Sequence, residues 1–186
     1  YVELEIREVL KKPEGKLTEA DLAKITTFKF TDFVDDDLNE LNITDAGLKD
    51  VAKLQQLTKL DLFTLWGSKI TDEGIKEVAK LQNLTELNLK NHAITDGGLK
   101  EVATLQKLTE LNLEGTKITD AGLKEVAKLQ KLEGLNLRET QITDESLKDL
   151  AKLQKLELLA LEGTKVTKAG VAELKKALPN CRIYGP

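Results

Sequence analysis

The stretch LTELNLEGTKITDAGLKEVAKLQK, from Leu108 to Lys131, occurs three times in succession with few changes. Residues 84–107 and 132–155 are the flanking copies. A fixed period of 24 residues indicates one structural unit stacked on copies of itself, which is a solenoid. In such a stack the shared residues hold the units together, so we expect function where the units differ.

Each unit predicts a strand, a tight connection and a short helix. Leu111 and Leu113 have the two-residue spacing of a strand with one buried face. Thr119 and Asp120 are both good helix N-caps. Apolar residues at helical spacing follow, namely Leu123, Val126, Ala127 and Leu129. Gly122 weakens that helix, and a close approach to the neighbouring repeat would explain its presence.

Stacking also predicts curvature. Adjacent strands lie about 4.8 Å apart, whereas packed helices need about 8–10 Å. The strand side must therefore be the inside of an arc. The predicted fold class is an α/β solenoid with a concave parallel sheet and short convex helices.

The pattern L-x-x-L-x-L-x-x-[TN]-x-I, followed by T-x-[IV]-T-D-x-G-L at Thr116–Leu123, resembles the leucine-rich repeats of bacterial proteins. The resemblance extends from about residue 25 to residue 183. It implies a right-handed horseshoe that recognises a macromolecular partner, most often a protein, and a bacterial source. The family usually has Asn at the ninth position, where this chain has Ser68, His92, Thr116, Thr140 and Thr164. Hydroxyl groups there can still bond to neighbouring backbone.

The ends of the chain predict caps around the repeats. We expect a helical N-terminal cap at residues 1–24, six repeats at 25–178 and a C-terminal cap strand at 179–186. One apolar helical face in the first cap is formed by Val2, Ile6, Val9 and Leu10. Thr18 and Asp21 predict a capping box for a second short helix. Two caps would make this a whole domain.

Two units are longer than the others. The unit from Ile25 has eight extra residues within Thr31–Asn42, and the unit from Leu57 has three within Phe63–Lys69. Both insertions directly follow the strand, so we expect them side by side on one rim of the concave sheet. Insertions on one face of a solenoid often form its binding face.

The insertions contain two candidate sites, each with two interpretations. Phe63 and Trp66 form either an aromatic anchor for a protein partner or local packing over Phe33 and Val34. The acidic residues within 32–40 form either a solvated loop or calcium ligands, although they lack the spacing and Gly of an EF-hand.

The repeat also predicts which side chains line the concave face. Third positions are Thr27, Lys59, Glu86, Glu110, Gly134 and Leu158. Fifth positions are Lys29, Asp61, Asn88, Asn112, Asn136 and Ala160. Seventh positions are Thr31, Phe63, Lys90, Glu114, Arg138 and Glu162. From these and the adjoining insertion we predict the partner-binding set Lys59, Asp61, Phe63, Leu65, Trp66, Glu86, Asn88, Lys90, Glu110, Asn112, Glu114, Asn136 and Arg138.

Charge and hydropathy argue against other partners. The 28 basic and 32 acidic residues are interspersed and give a net charge of −4, so no basic stripe for nucleic acid is expected. No apolar run approaches the roughly 18 residues that a membrane span needs. We expect a monomer, and the sequence leaves both export and a cytoplasmic location open. Because the chain begins at Tyr1 and contains no Met, either a leader was removed or the chain is a piece of a longer protein.

The sequence predicts no catalytic, metal or cofactor site. His92 is the single histidine, and Ser68 is its neighbour in the ninth-position column. The nearest carboxylates, Asp72 and Asp96, begin helices and point elsewhere, and the single Cys181 lies in the distal cap. We therefore expect a protein-binding module rather than an enzyme. The alternatives are a spacer domain of a larger, exported bacterial protein and a designed repeat scaffold.

Overall fold

The computed structural model describes residues 2–29, 43–63 and 70–185, where seven short strands alternate with helices. The strands are β1 Thr27–Lys29, β2 Lys59–Asp61, β3 Glu86–Asn88, β4 Glu110–Asn112, β5 Gly134–Asn136, β6 Leu158–Ala160 and β7 Arg182–Tyr184. The helices are α1 Val2–Val9, α2 Glu19–Leu22, α3 Asp45–Val51, α4 Asp72–Val78, α5 Asp96–Val102, α6 Asp120–Val126, α7 Leu147–Leu150 and α8 Lys168–Ala177, with a 3-10 turn at Asp144–Ser146.

The strands form one parallel sheet in chain order from β1 to β7. Neighbouring strands pair in the repeat register, so that Leu87, Leu111 and Leu135 lie opposite one another. Between most strands the chain passes through a helix before it returns to the adjacent parallel strand, a connection that is right-handed in nearly all proteins. The predicted fold class, an α/β solenoid with a parallel sheet and short helices, is confirmed.

One core runs continuously between the sheet and the helices. Leu111, Leu113 and Leu123 expose 2%, 0% and 0% of their surface, and their equivalents in the other units belong to the same cluster. Each fully buried leucine contributes about 1.5–3 kcal/mol relative to the exposed state. Because this core lies between units, no unit could bury its leucines alone.

The Thr-Asp pair at the start of α3 to α6, and at Thr143-Asp144 before α7, joins neighbouring units. Thr119 is the N-cap of α6, and its hydroxyl accepts a hydrogen bond from the N–H of Ala121 at 3.3 Å. Asp120 reaches forward instead, and its carboxylate accepts hydrogen bonds from the N–H of Thr143 at 2.8 Å and from its hydroxyl at 2.7 Å. The sequence pattern left both residues as possible N-caps, and the structure assigns that role to the threonine.

The same two bonds recur along the stack, and we call the set the Asp–Thr ladder. Its pairs are Asp45–Thr71, Asp72–Thr95, Asp96–Thr119, Asp120–Thr143 and Asp144–Thr167. Partial burial acts to raise the pKa of Asp120, but the hydrogen bonds from Thr143 outweigh it, so this pKa lies below the ordinary value. In α8 the first residue is Lys168, and the element after α8 is a strand rather than another helix.

Gly122 lies where α6 passes close to the preceding repeat. A Cβ at this position would meet the Asp96 carboxylate and would lie 2.8 Å from Cδ1 of Leu99. The predicted close approach is therefore confirmed. Gly74 and Gly170 face the equivalent carboxylate and leucine in their own neighbouring repeats.

The unit from Leu132 has Ser146 where these units have glycine. Ser146 is 1% exposed, and its hydroxyl donates a hydrogen bond to the Thr143 carbonyl at 2.9 Å. Its helix begins with a 3-10 turn instead of an α-turn. An added Cβ at this junction thus accompanies a change in the first helical turn.

The N-terminal helices cover one end of the stack. Val2 and Ile6 are 4% exposed and α1 packs against α3, but Val9 is 52% exposed, so the prediction that it shares the buried face is wrong. The chain turns directly after Val9, and Leu10 packs against the core instead. The capping box is confirmed, because Thr18 and Asp21 each accept a hydrogen bond from the other's backbone N–H.

Candidate partner-binding face

The strand register places the predicted concave side chains in columns. The third-position column is Thr27, Lys59, Glu86, Glu110, Gly134, Leu158 and Arg182. The fifth-position column is Lys29, Asp61, Asn88, Asn112, Asn136, Ala160 and Tyr184. We call this side of the sheet, with the seventh positions that follow each strand, the concave face. Of the predicted partner-binding residues, Leu65 and Trp66 lie outside the described residues.

A continuous open groove crosses the concave face. Its volume is about 470 Å³, and it extends from Thr27 on β1 to Leu158 on β6. Its lining consists of third- and fifth-position residues and the leucines, or Phe28, that lie between them on the strands. The groove is long enough to contact several successive residues of another chain.

The asparagines of the fifth position also end the strands. The side-chain oxygens of Asn88, Asn112 and Asn136 accept hydrogen bonds from the N–H two residues further on, at 3.0–3.1 Å. The Asn88 amide group in addition donates to Asp61 at 2.8 Å. These predicted partner-binding residues therefore have a role in the fold that sequence reasoning missed, although an Asn repeated two residues before a turn is a signal for it.

Charged side chains of the concave face pair across neighbouring repeats. Lys59 pairs with Glu86 at 2.6 Å in the third-position column. In the seventh-position column Arg138 makes two hydrogen bonds to Glu162, at 2.8 and 2.6 Å. These bonds lower the pKa of the Glu162 carboxyl and raise that of the Arg138 guanidinium. Both predicted charges and their partners are thus largely neutralised within the protein.

Phe63 lies at the N-terminal end of the seventh-position column. Its ring is half-buried, and Nζ of Lys90 lies 5.1 Å from the ring centroid, a cation–π distance. Lys90 also pairs with Glu114 at 2.8 Å. Desolvation acts to raise the pKa of Glu114, but hydrogen bonds from Lys90 and Asn136 outweigh it and lower the pKa.

The two interpretations of the aromatic pair stay open as predictions. Trp66 and its proposed packing partners, Phe33 and Val34, lie outside the described residues, as do both insertions and the acidic segment. The contact between Phe63 and Lys90 of the next repeat is compatible with both interpretations.

The C-terminal end of the concave face has two exposed apolar side chains next to the exposed Arg182, and the predicted site omitted all three. Leu158 is 39% exposed and Tyr184 is 45% exposed, in adjacent columns. Gly134 and Ala160 lie beside them and are buried. Leu158 stands where other repeats have Lys59, Glu86 and Glu110, and that break in the column is the signal that could have found it.

His92 is buried and bonded to the backbone of the preceding repeat. It is 2% exposed, and its Nε2 lies 2.8 Å from the Leu62 carbonyl of the preceding repeat, so Nε2 carries the proton. Burial lowers its pKa, and Nδ1 has no hydrogen-bond partner among the described residues. Thr116 and Thr140 at the same position instead bond to carbonyls of their own repeats, at 2.6 Å.

The carboxylates near His92 are already engaged. Asp72 and Asp96 bind Thr95 and Thr119 in the Asp–Thr ladder, and Ser68 lies outside the described residues. Within the described part of the chain, no three His, Cys, Asp or Glu side chains are grouped to hold a metal ion. None of the helices there is long and apolar enough to cross a membrane.

A family model described as the leucine-rich repeat matches residues 80–103, 104–127 and 128–151. Each match is 24 residues long, which is the period of the sequence repeat. This part of the chain therefore consists of leucine-rich repeats, and the resemblance is confirmed. No curated protein sequence matches the chain.

Solved bacterial structures share the fold. Internalin C2 of Listeria monocytogenes has a TM-score of 0.67 at 24% identity, over 96% of this chain and 79% of that protein. An internalin of the same species, InlF, has a TM-score of 0.66 at 22% identity, over 98% of this chain and 54% of InlF, so the chain spans about half its length. A leucine-rich-repeat protein of Leptospira interrogans matches over 73% of this chain with a TM-score of 0.41. The family model and the two internalin structures together show that the fold is a leucine-rich-repeat solenoid, a class that commonly binds proteins.

Proposed function

We propose that the chain is a protein-binding module whose concave face recognises a protein or peptide partner. The observation that supports this is the groove of about 470 Å³, lined by side chains that differ from repeat to repeat. Such variation is what a recognition surface needs, because shared residues suffice for stacking. The proposed contact residues are the predicted set, with Phe63 and Lys90 at its N-terminal end.

Catalysis has no comparable support. The buried His92 is held by a backbone carbonyl, and the nearby ladder carboxylates bind threonines. We therefore propose recognition without chemistry, by a solenoid with N-terminal and C-terminal caps near the predicted boundaries.

The test is a pull-down from an extract of the organism that encodes the chain, with substitutions on both sides of the stack. Lys90→Ala and Phe63→Ala/Trp66→Ala should lose the captured partner. Lys124→Ala is the matched control, because Lys124 is exposed on the helical side. Equal capture by all four proteins would contradict the proposal. Urea unfolding must show that the concave-face variants keep their stability, and a parallel loss of stability would favour the packing interpretation of Phe63.

A spacer domain is the second candidate. It is favoured by the cross-repeat ion pairs Lys59–Glu86 and Arg138–Glu162, since these charges already have partners within the protein. A spacer would retain no partner in the pull-down and would tolerate all of these substitutions.

A further inference from the structure

The C-terminal half of the concave face, with the second positions beside it, differs from the rest in having exposed apolar groups and three carboxylates without ion pairs among the described residues. We call Leu158, Tyr184 and the carboxylates of Glu110, Glu133 and Glu157 the C-terminal patch. Resting on the proposed function, we propose that this patch is the specificity-determining part of the face, and that it binds a peptide segment in which an apolar side chain lies next to Lys or Arg.

The apolar part of the patch is open to a partner. Leu158 lies in the third-position column beside Gly134, which contributes no side chain, and Tyr184 lies in the neighbouring column beside Ala160. Leu158 lies at the end of the groove, and Tyr184 lies one strand further on, with the small residues Gly134 and Ala160 beside them. Because these small side chains leave Leu158 exposed, an aliphatic or aromatic side chain of a partner can pack against it.

Glu110 brings a carboxylate to the edge of this apolar surface. A Cβ added to Gly134 would lie within 2.8 Å of Oε1 of Glu110, which shows that the Glu110 side chain extends over β5. The next strand, β6, carries Leu158, and adjacent strands are about 4.8 Å apart. A partner residue that covers Leu158 would thus have this carboxylate beside it.

Two further carboxylates, those of Glu133 and Glu157, stand at the second position of their repeats, where the preceding repeats have threonine. The second position of a repeat is the residue directly before the strand. Before β2, β3 and β4 these residues are Thr58, Thr85 and Thr109, and each hydroxyl donates to the second-position carbonyl of the preceding repeat at 3.0–3.1 Å. In the next two repeats Glu133 and Glu157 replace threonine, and both are exposed. The backbone N–H groups of Glu133 and Glu157 still donate to the preceding repeat at 2.8 Å, so the hydrogen bonding between strands does not require the acidic side chains.

These carboxylates have no basic partners in the described structure. Elsewhere on the face Glu86, Glu114 and Glu162 pair with Lys59, Lys90 and Arg138, whereas no ion pair to Glu110, Glu133 or Glu157 forms among the described residues. Desolvation, with repulsion from Glu86, Glu133 and Glu157, raises the pKa of Glu110. Arg182 is exposed opposite Leu158 on β7, and the three carboxylates outnumber this one cation. A cationic side chain would relieve the repulsion at Glu110, and the excess of negative charge assigns the partner as basic rather than acidic.

The experiment selects peptides from a phage-displayed library of random 12-residue sequences on the immobilised protein, and then measures the affinities of synthetic copies. The enriched peptides should contain Lys or Arg next to Leu, Phe, Tyr or Trp. Leu158→Ala and Glu110→Gln should each weaken their binding about tenfold, and added salt should weaken it further. A peptide whose basic residue is changed to Glu should recover affinity for the Glu110→Lys variant.

The matched controls are Leu4→Ala, an exposed leucine on α1, and Glu14→Gln, an exposed glutamate in a turn. Both should bind the peptides as wild type does. Urea unfolding of each variant separates lost binding from lost folding.

Three outcomes would overturn the inference, and a fourth would overturn the proposed function with it. The first is that the selected peptides lack basic residues, and the second is that no peptide is enriched. The third is that Leu158→Ala and Glu110→Gln leave affinity unchanged while Lys90→Ala removes it. In that third case the proposed function stands, and only the location and chemistry of the specificity-determining patch are wrong. If the affinity of the peptides is the same for every concave-face variant, both the patch and the proposed function are overturned.

Discussion

The helical side of the stack and its concave face differ in how much the repeats vary. On the helical side the same carboxylate–threonine contact joins each described pair of neighbouring repeats, with a glycine beside it in most units. On the concave face one column changes from Lys59 through Glu110 and Gly134 to Leu158. The contacts between identical neighbours restrict the first set, whereas solvent places no such restriction on the second. Uniform positions therefore indicate stability, and variable positions indicate recognition.

Removing one member of the Asp–Thr ladder should have the largest effect. Asp120→Ala leaves the N–H and hydroxyl of Thr143 without their acceptor, and we expect a loss of about 2–4 kcal/mol in the free energy of unfolding, because each bond involves a charged acceptor. Asp50→Ala is the control, since Asp50 pairs only with Lys53 on the surface; it should cost under about 1 kcal/mol. Urea denaturation measures both, and equal costs would contradict the structural role of the ladder.

The pH dependence of the same contact has a definite sign. Because the folded-state pKa of Asp120 is lowered, its contribution is fully present above the unfolded-state pKa, for which 3.8 is the reference, and is lost as the pH falls through the folded-state value. The stability difference between wild type and Asp120→Ala should therefore shrink in acid.

Adjacent glycines in α5 offer a matched pair with opposite expectations. A Cβ on Gly98 would lie 2.5 Å from Oδ1 of Asp72 and 3.0 Å from Cγ2 of Ile94, so Gly98→Ala should cost about 1–3 kcal/mol. A Cβ on Gly97 would lie 2.8 Å from Oδ2 of Asp72, but the next repeat has Ala121 in the equivalent place beside Asp96, so a small shift of the carboxylate is sufficient. Gly97→Ala should therefore stabilise by about 0.5–1 kcal/mol. Thermal unfolding of the two single variants compares them directly. Stabilisation by both would mean that the repeats pack less closely than the structure indicates.

His92 is a buried histidine at the ninth position, where the other repeats from Leu57 onward have a serine or threonine. Its folded-state pKa is lowered by burial, so the unfolded state binds a proton more readily and stability falls as the pH drops below the unfolded-state value, for which 6.5 is the reference. His92→Thr, which restores the residue of the neighbouring repeats, should remove this part of the pH dependence. Urea midpoints at pH 7.5 and pH 5.5 for both proteins provide the measurement, and identical shifts would show that His92 does not titrate on unfolding.

Substitutions of paired charges on the concave face should have the smallest effect on stability. Arg138→Ala, Glu162→Ala and the double variant form a cycle for the bidentate pair, whose members are 41% and 44% exposed. We expect a coupling of at most about 1 kcal/mol. A larger coupling would assign this pair to the stabilising contacts and would blur the distinction between the two sides.

The sequence predicted the repeats and their register because each leucine column depends on local spacing. Leu111 and Leu113 identify the strand, and the same letters 24 residues later fix what it pairs with. Val9 was mistaken because helical periodicity gives a face but not the residue at which the chain turns away from the core.

The Asp–Thr ladder was missed because an N-cap explains Asp120 equally well from local sequence. Its true partner lies 23 residues ahead, in the next repeat. The signal was Lys168, which breaks the Thr-Asp pattern at the helix that no further helix follows. The residues of the binding site remain predictions, since composition identifies variable positions but not which of them an internal ion pair already occupies.

The Asp–Thr ladder also bears on how such a protein can change in length. Its junctions are chemically alike, so a duplication or deletion of one whole 24-residue unit would leave each remaining Asp with a threonine to bind. Each added unit would lengthen the sheet by about 4.8 Å. Unequal recombination between near-identical gene segments could therefore lengthen or shorten the solenoid while every junction between repeats keeps the same contacts.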